Sequence, residues 1–415
     1  MIDVQHSTLE TGLPLVRLGV PGTRAVTALV AFDAGARTER AEENGMAHFL
    51  EHLVFKGGES YPTYRDVNET AERLGAQLNA YTSHDIVAFH ITSRSEAVME
   101  ALDLLSDFVG RAHLDAEELD RERGVVIQEI ARSKDQPSAV ADDLIDQATY
   151  GDHPLGRPVL GPEEHLRTFS RDSIVAFRER QWAPERGGAF LAGDLSHLDV
   201  ERAGELLTRF DARDGAAATD PAPDFERRVR VERRDTQQSH LRLHWRPAID
   251  PSDLRQRAAL AVYSTLLGGS MGSRLFDEIR EQRGLCYAIR SYGTCHADVP
   301  RLDVSSGLDS TKCVEAYRRI GEIVAELAAD GPREGEVERA RAYTGGSTVL
   351  ALESTRAVAS RAASLKVTFG EISSPDETIA AIDAVTDDDV RAVARQVTGE
   401  PVVACVGPHD PADFE

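Results

Sequence analysis

The feature that most constrains the fold of this chain is a weak internal repeat along its 415 residues. Phe89–Val109 has the pattern of a strand followed by an amphipathic helix, and Leu302–Val324 repeats it 213 residues later. A second pair of similar segments, ending near Gly193 and Gly407, is offset by 214 residues. Because the two offsets agree, duplication of a unit of about 200 residues explains the pattern better than chance similarity.

A break in composition separates the two copies. The stretch DARDGAAATDPAPD, residues 211–224, is rich in Ala, Asp and Pro and has no periodic apolar pattern. Such a stretch is typical of a connection rather than a packed element. We therefore predict an N-terminal domain over 1–212, a linker over 213–226 and a homologous C-terminal domain over 227–415.

Strand and helix patterns alternate within each half. Val26–Ala34 reads as a strand, and Ala97–Gly110 has the 3.6-residue periodicity of a helix. Asn79–Thr92 resembles a hairpin rather than a crossover connection. These patterns predict an α+β fold of two homologous domains, each a mixed or antiparallel sheet flanked by helices.

Charge and hydropathy exclude several classes of partner. Asp and Glu number 70 against 47 Lys and Arg, a formal net charge of −23, whereas a nucleic-acid surface needs a basic field. No glycine-rich nucleotide-binding motif is present. The chain starts without a signal-peptide pattern and has no run of about 18 apolar residues. We expect neither nucleic acid nor membrane as a partner, and a cytoplasmic location.

The four cysteines, Cys286, Cys295, Cys313 and Cys405, all lie in the second half. Their spacings match no zinc or haem motif. Free cysteine is commonly a buried residue, and unpaired thiols suit a reducing compartment. The favoured interpretation is four buried thiols.

The segment NGMAHFLEHLVFKGG contains the motif H-x-x-E-H at His48, Glu51 and His52. If Met46–Phe55 is helical, the two histidines lie one turn apart on one face, where both imidazoles can bind a single metal ion beside the glutamate. The alternative is an amphipathic helix with two surface histidines. A third ligand distinguishes the two, because a catalytic zinc takes three protein ligands.

A second helical pattern, Ala116–Lys134, offers that ligand. Its Glu122 and Glu129 are seven residues apart and so share a helix face. Acidic residues on a helix are most often solvated, but Glu129 follows the apolar run Gly124–Ile127. We therefore expect Glu129 to lie near the packed side.

These motifs resemble those of the inverzincin metallopeptidases, which include pitrilysin, insulinase and the mitochondrial processing peptidases. In that family sixty-nine residues lie between H-x-x-E-H and a first Glu, and six residues lie between this Glu and a second one. Both spacings occur here, between His52, Glu122 and Glu129. The resemblance implies that His48, His52 and Glu129 bind zinc, that Glu51 is the general base, and that Glu122 orients a ligand.

The resemblance extends to two further segments. GAQLNAYT is similar to the family's substrate-binding edge strand, which places Asn79, Ala80 and Thr82 beside the substrate. LLGGSMGSRLFDEIREQRGLCY is similar to the signature of the partner domain, whose Arg and Tyr match Arg280 and Tyr287. The second half contains no H-x-x-E-H motif, so the resemblance implies one zinc ion per chain.

By this resemblance the chain is a short, processing-peptidase-like zinc endopeptidase. It would cleave unfolded peptides or presequence-like segments inside a closed chamber, and it would form a homodimer whose two sites are completed in trans. A non-catalytic peptide-binding or scaffold subunit is the alternative. Cobalt or manganese also fits the ligand set. His84 and His90 are expected at the strand surface and in the core rather than at the metal.

Overall fold

The computed structural model describes residues 2–210 and 221–415. The strands are β1 (Asp3–Thr8), β2 (Pro14–Gly19), β3 (Ala25–Phe32), β4 (Gln77–Thr82), β5 (Val87–Arg94), β6 (Gly187–Gly193), β7 (Val229–Arg233), β8 (Gln238–Trp245), β9 (Cys286–Cys295), β10 (Pro300–Asp309) and β11 (Val402–Gly407). The helices are α1 (Met46–Val54), α2 (Tyr64–Arg73), α3 (Val98–Gly110), α4 (Ala116–Lys134), α5 (Pro137–Tyr150), α6 (Glu163–Thr168), α7 (Arg171–Gln181), α8 (Val200–Leu207), α9 (Leu254–Ser264), α10 (Cys313–Asp330), α11 (Glu336–Ala351), α12 (Thr355–Phe369), α13 (Pro375–Asp383) and α14 (Asp387–Gln396).

The described chain forms two compact units, each with one sheet. The first contains the described residues of Met1–Ala131, Pro158–Asp220 and Ala351–Asp376. The second contains those of Arg132–Arg157, Pro221–Leu350 and Glu377–Glu415. Each sheet is mixed and flanked by helices, so the predicted α+β class with two sheets is confirmed.

The two sheets repeat one topology. The first has the strand order β1-β2-β6-β3-β5-β4, and the second has β7-β11-β8-β10-β9. In the first sheet only the β2–β6 pair is parallel, and in the second only β7–β11 is. When β2 is matched with β7, every later strand of one sheet has its counterpart in the other. The predicted duplication is therefore visible in the strand pairing, and β1 is an addition to the first copy.

The core of the first unit fixes the orientation of α1. Phe49, Leu50 and Leu53 of α1 are buried in one cluster with Phe89 of β5 and Leu105 of α3. This apolar spacing of three and four residues makes α1 amphipathic and forces its remaining face away from the core. The motif histidines and Glu51 lie on that remaining face.

The opposite face of the first sheet is covered by α12, a helix from the second half of the sequence. Val358 and Ala359 of α12 are buried with Val16, Leu29 and Phe190. In the second unit, α5 from the first half packs in the same way, with Ile145 and Ala148 buried against Val402 and Ala404 of β11.

The predicted continuous domains, 1–212 and 227–415, consequently differ from the compact units. Each unit includes a helix taken from the other half, because an apolar sheet face is buried by whichever helix reaches it. Of the predicted linker, residues 213–220 lie outside the described residues, and 221–226 belong to no helix or strand. No helix within residues 2–210 and 221–415 has the length and apolar character needed to cross a bilayer.

Candidate metal centre

The helix α1 starts at a tightly constrained turn. Gly45 has a left-handed backbone with φ of 97°, and a Cβ there would lie 2.7 Å from the carbonyl oxygen of Leu160. The buried Glu39 carboxylate accepts hydrogen bonds from the backbone N–H of Ala47 at 2.7 Å and of Gly45 at 3.0 Å. Burial raises the pKa of Glu39 to about 8, against the opposing effect of these hydrogen bonds. Glu39 satisfies N–H groups that would otherwise be unpaired at the start of the helix, a role that the sequence analysis missed.

Three donor groups converge above α1. The Nε2 atom of His52 lies 3.4 Å from Oε2 of Glu129, and Nε2 of His48 lies 3.8 Å from the same oxygen. Ligand atoms of the three residues all lie within 4.8 Å of one another. Two histidines one helical turn apart and a glutamate from α4 are thus brought together as one set of candidate metal ligands.

Glu122 orients His52 from the other side of the ring. Its Oε1 lies 2.9 Å from Nδ1 of His52, and its other oxygen pairs with the ammonium of Lys56. Burial would raise the pKa of Glu122, but the bonds from His52 and Lys56 outweigh it and lower that pKa. Since a carboxylate at Nδ1 keeps the ring proton there, the Nε2 lone pair of His52 is directed toward Glu129.

The surroundings of His48 favour its neutral form, which is the form that binds a metal ion. Burial, with a smaller effect of His52, lowers the pKa of His48 to about 4. Its Nδ1 is buried without a hydrogen-bond partner among the described residues. For His52, burial lowers the pKa, but the hydrogen bond and charge of Glu122 reverse this, so the pKa is raised.

Glu51 lies beside the donor set and is tied to the edge of the sheet. Its Oε2 accepts a hydrogen bond of 2.5 Å from the hydroxyl of Thr82 on β4. Burial raises the pKa of Glu51, and the Thr82 bond opposes that effect. A partly buried carboxylate with a raised pKa and a fixed orientation is suited to accept a proton.

The strand β4 is the last in the first sheet, so one of its edges is unpaired within the described chain. The backbone N–H of Ala80 bonds at 2.9 Å to Oδ1 of the exposed Asn79 and therefore points away from β5. Because backbone groups alternate between the two edges of a strand, those of residues 78, 80 and 82 face the open edge. The side chain of Asn79 covers one of these positions.

The two predicted residues of the second half lie in the second unit. Arg280 is on a π-helical turn, Phe276–Gln282, with its guanidinium carbon 4.5 Å from the ring centre of Phe276 and 5.8 Å from that of Tyr287. Tyr287 is 83% exposed. Both line a cavity of about 290 Å³ that also includes Met271 and Tyr343.

The positions of Glu129, His84 and His90 complete the description of the predicted residues. The side chain of Glu122 is 8% exposed, whereas that of Glu129, expected near the packed side, is 43% exposed. It turns toward the histidines at the surface rather than into the core. His90 on β5 is buried and, like His84, does not belong to the donor set.

The fold and donor set together define a duplicated α+β protein with an H-x-x-E-H helix whose histidines lie beside Glu129. Residues 19–163 match the family model described as Insulinase (Peptidase family M16), and residues 168–343 match Peptidase M16 inactive domain. The chain belongs to peptidase family M16.

Two curated relatives match over nearly the whole chain. An uncharacterized zinc protease of Bacillus subtilis, YmxG, is 32% identical over 98% of both proteins. A second, from Streptomyces coelicolor, is 34% identical over 98% of this chain and 90% of the relative.

Two solved structures share the fold. That of a peptidase M16 inactive domain from Pseudomonas fluorescens superposes with a TM-score of 0.89 at 20% identity, covering 98% of this chain and 99% of the other. A protease from Helicobacter pylori gives a TM-score of 0.86 at 19% identity, covering 98% and 100%.

Proposed function

We propose that this protein is a zinc-dependent endopeptidase that cleaves unfolded peptides. The observation that carries the proposal is the convergence of two imidazole nitrogens and a carboxylate beside the partly buried Glu51. The relatives named zinc proteases support the choice of metal. A lone pair on each imidazole and an anionic oxygen, all facing one point, are a donor set suited to zinc.

His48, His52 and Glu129 would hold the zinc ion. When bound, zinc supplies Lewis acidity, which lowers the pKa of water and polarises a peptide carbonyl. Glu122 and Lys56 keep His52 oriented, because the carboxylate accepts from both. Glu51 accepts the proton of the attacking water, and Thr82 holds its carboxylate in place.

The substrate would bind as an additional strand on β4. Main-chain hydrogen bonds at residues 78, 80 and 82 read little side-chain sequence, which suits an enzyme acting on varied unfolded peptides. Thr82 connects this edge to Glu51, so the strand that binds the peptide also positions the base. The amide of Asn79 would release the N–H of Ala80 to the incoming peptide.

The decisive experiment compares Glu51→Gln with Glu117→Gln, a control whose carboxylate lies on an exposed part of α4. Zinc content and cleavage of a quenched unfolded peptide are measured for both. We expect Glu51→Gln to keep zinc and to lose hydrolysis, while the control retains both. A Glu51→Gln protein that cleaves the peptide at the wild-type rate removes Glu51 as the base.

The same measurements separate the enzyme from a non-catalytic peptide-binding subunit. A wild-type protein that binds zinc and the peptide but shows no chelator-sensitive cleavage would support the binding function instead. The binding function is a real alternative because residues 168–343 match a family model described as an inactive domain.

We further propose that two copies of the chain enclose the peptide in a chamber. Arg280 would hold the substrate backbone and Tyr287 would donate to the developing oxyanion of a site on the other copy. Mixing Glu51→Gln with Tyr287→Phe protein should restore part of the activity, because heterodimers keep one intact site. A monomer that is fully active in dilute solution would contradict the dimer.

A further inference from the structure

A second cluster of metal-binding groups lies in the second unit. Cys313 starts α10, Cys405 lies on β11, and His409 follows that strand. The cysteines are fully buried and His409 is 7% exposed, and ligand atoms of all three lie within 4.8 Å of one another. The sequence did not reveal this cluster, because the two cysteines are separated by 91 residues.

A chain of hydroxyl groups determines which nitrogen of His409 carries the proton. The hydroxyl of Ser310 donates to the carbonyl oxygen of Thr236 at 2.9 Å, so its only proton is used. Ser239 must then donate to Ser310, at 3.1 Å. Nε2 of His409, 2.8 Å from the Ser239 hydroxyl oxygen, must therefore be the donor in that contact.

The Nδ1 atom of His409 is left with a free lone pair. A carboxylate oxygen of Asp413 lies 3.7 Å from it, and each of Cys313 and Cys405 has its sulfur within 4.8 Å of a ring nitrogen of His409. An imidazole lone pair facing a carboxylate is unfavourable unless a positive charge lies between them. A hydrogen bond at one ring nitrogen that leaves the other with a lone pair is the usual arrangement of a metal-binding histidine.

We propose that Cys313, Cys405 and His409 form a structural site for a thiophilic divalent cation, with the Asp413 carboxylate as fourth ligand. Two sulfur atoms, one nitrogen and one oxygen are a ligand set that favours zinc, for which closed four-coordinate sites are structural. Zinc–sulfur bonds of about 2.3 Å require the donors to move inward by roughly an ångström. The ion ties together α10, β11 and the C-terminal segment.

This site is independent of the proposed peptidase activity. It contains none of the H-x-x-E-H residues, and its donors lack the open position that a catalytic zinc requires. Because both cysteines are fully buried, the ion is expected to enter as the chain folds, rather than to exchange freely afterwards.

Cobalt is the probe that distinguishes the two sites. The protein is produced in cobalt-supplemented, zinc-depleted medium, and its metal content and absorption spectrum are recorded. Only the cysteine cluster can give a thiolate-to-cobalt charge-transfer band, because the donors on α1 and α4 include no sulfur. We expect a second metal equivalent per chain and this band. His48→Ala/His52→Ala protein should lose one equivalent and keep the band.

Two cysteine pairs provide matched variants. Cys286→Ser/Cys295→Ser removes the half-buried thiols outside the cluster and should leave the band and metal content unchanged. Cys313→Ser/Cys405→Ser should abolish the band and one equivalent of metal. If that variant does not fold, the wild-type protein and the Cys286→Ser/Cys295→Ser variant still decide the matter.

Either of two results would overturn the site. One is cobalt-loaded protein, wild type or Cys286→Ser/Cys295→Ser, without the thiolate band. The other is the absence of titratable thiols in denatured, metal-free Cys286→Ser/Cys295→Ser protein, which would mean that Cys313 and Cys405 form a disulfide instead.

Discussion

Glu122→Gln is the change that best tests how the metal centre is organised. Glu122 is 6% exposed, and its two oxygens accept from His52 at 2.9 Å and from the ammonium of Lys56. Glutamine has the same shape, but its amide NH₂ would face either the Lys56 ammonium or the Nδ1 proton of His52. Two hydrogen-bond donors then face each other at a partly buried position, and the negative charge that stabilises the orientation of His52 is lost.

The expected magnitude follows from that geometry. Removing an acidic group that hydrogen-bonds a metal-ligating histidine lowers metal affinity by about 10- to 100-fold, equivalent to about 1.4 to 2.7 kcal/mol. We expect the upper part of this range, because Glu122→Gln disturbs two charge-assisted hydrogen bonds rather than one.

The zinc dissociation constant is measured by competition with a chromophoric chelator, and peptide cleavage is measured at saturating zinc. Lys56→Met serves as the matched variant, since it removes the second partner while the carboxylate remains on His52. We expect a weaker loss of affinity in Lys56→Met than in Glu122→Gln. A Glu122→Gln protein whose zinc affinity stays within twofold of wild type would refute the assigned role.

Three further predictions concern other parts of the chain. The buried guanidinium of Arg274 lies 2.7 Å from the Glu336 carboxylate, and Glu336→Ala leaves it without this partner. The free energy of unfolding in urea should therefore fall by about 3–5 kcal/mol. A loss below 1 kcal/mol would contradict this prediction. Burial lowers the pKa of His90 from 6.5 to about 4. As the pH falls below 6.5, the imidazole is therefore protonated in the unfolded state before it is protonated in the folded state. Between pH 7 and pH 5 the free energy of unfolding of the wild type should therefore fall by about 2 kcal/mol more than that of His90→Phe. Urea unfolding at each pH measures both, and an equal fall in the two proteins would show that the prediction is wrong. Tyr287→Phe should lower kcat by about 10²- to 10³-fold if Tyr287 donates to the oxyanion, and its unfolding midpoint should be unchanged because Tyr287 is largely exposed.

The local part of the metal centre was predictable from the sequence. A helix fixes the relation between His48 and His52 because the two are one turn apart, and the amphipathic pattern of α1 determines which face is free. Glu122 and Glu129 came from spacing and resemblance together. The paired sheets followed from the repeat, because two similar segments build similar strand orders.

Contacts between distant segments were not predictable in the same way. Glu39 caps α1 from outside any motif, and no pattern in its neighbourhood identifies it as a helix cap. The packing of α12 against the first sheet joins residues more than 300 apart, as the 2.9 Å contact between Thr27 and Thr355 illustrates. Cys313 and Cys405 looked inert for the same reason, since only the folded chain places them beside His409.

The position of α12 in the sequence has a consequence for synthesis on the ribosome. The strands of the first sheet are complete once Gly193 has emerged, but the helix that buries Val16, Leu29 and Phe190 ends only at Phe369. At about 5–20 residues per second, roughly 10 to 35 seconds pass between the two events. During that interval the apolar sheet face of the nascent chain is not yet covered, so the first unit completes its folding only after α12 has emerged.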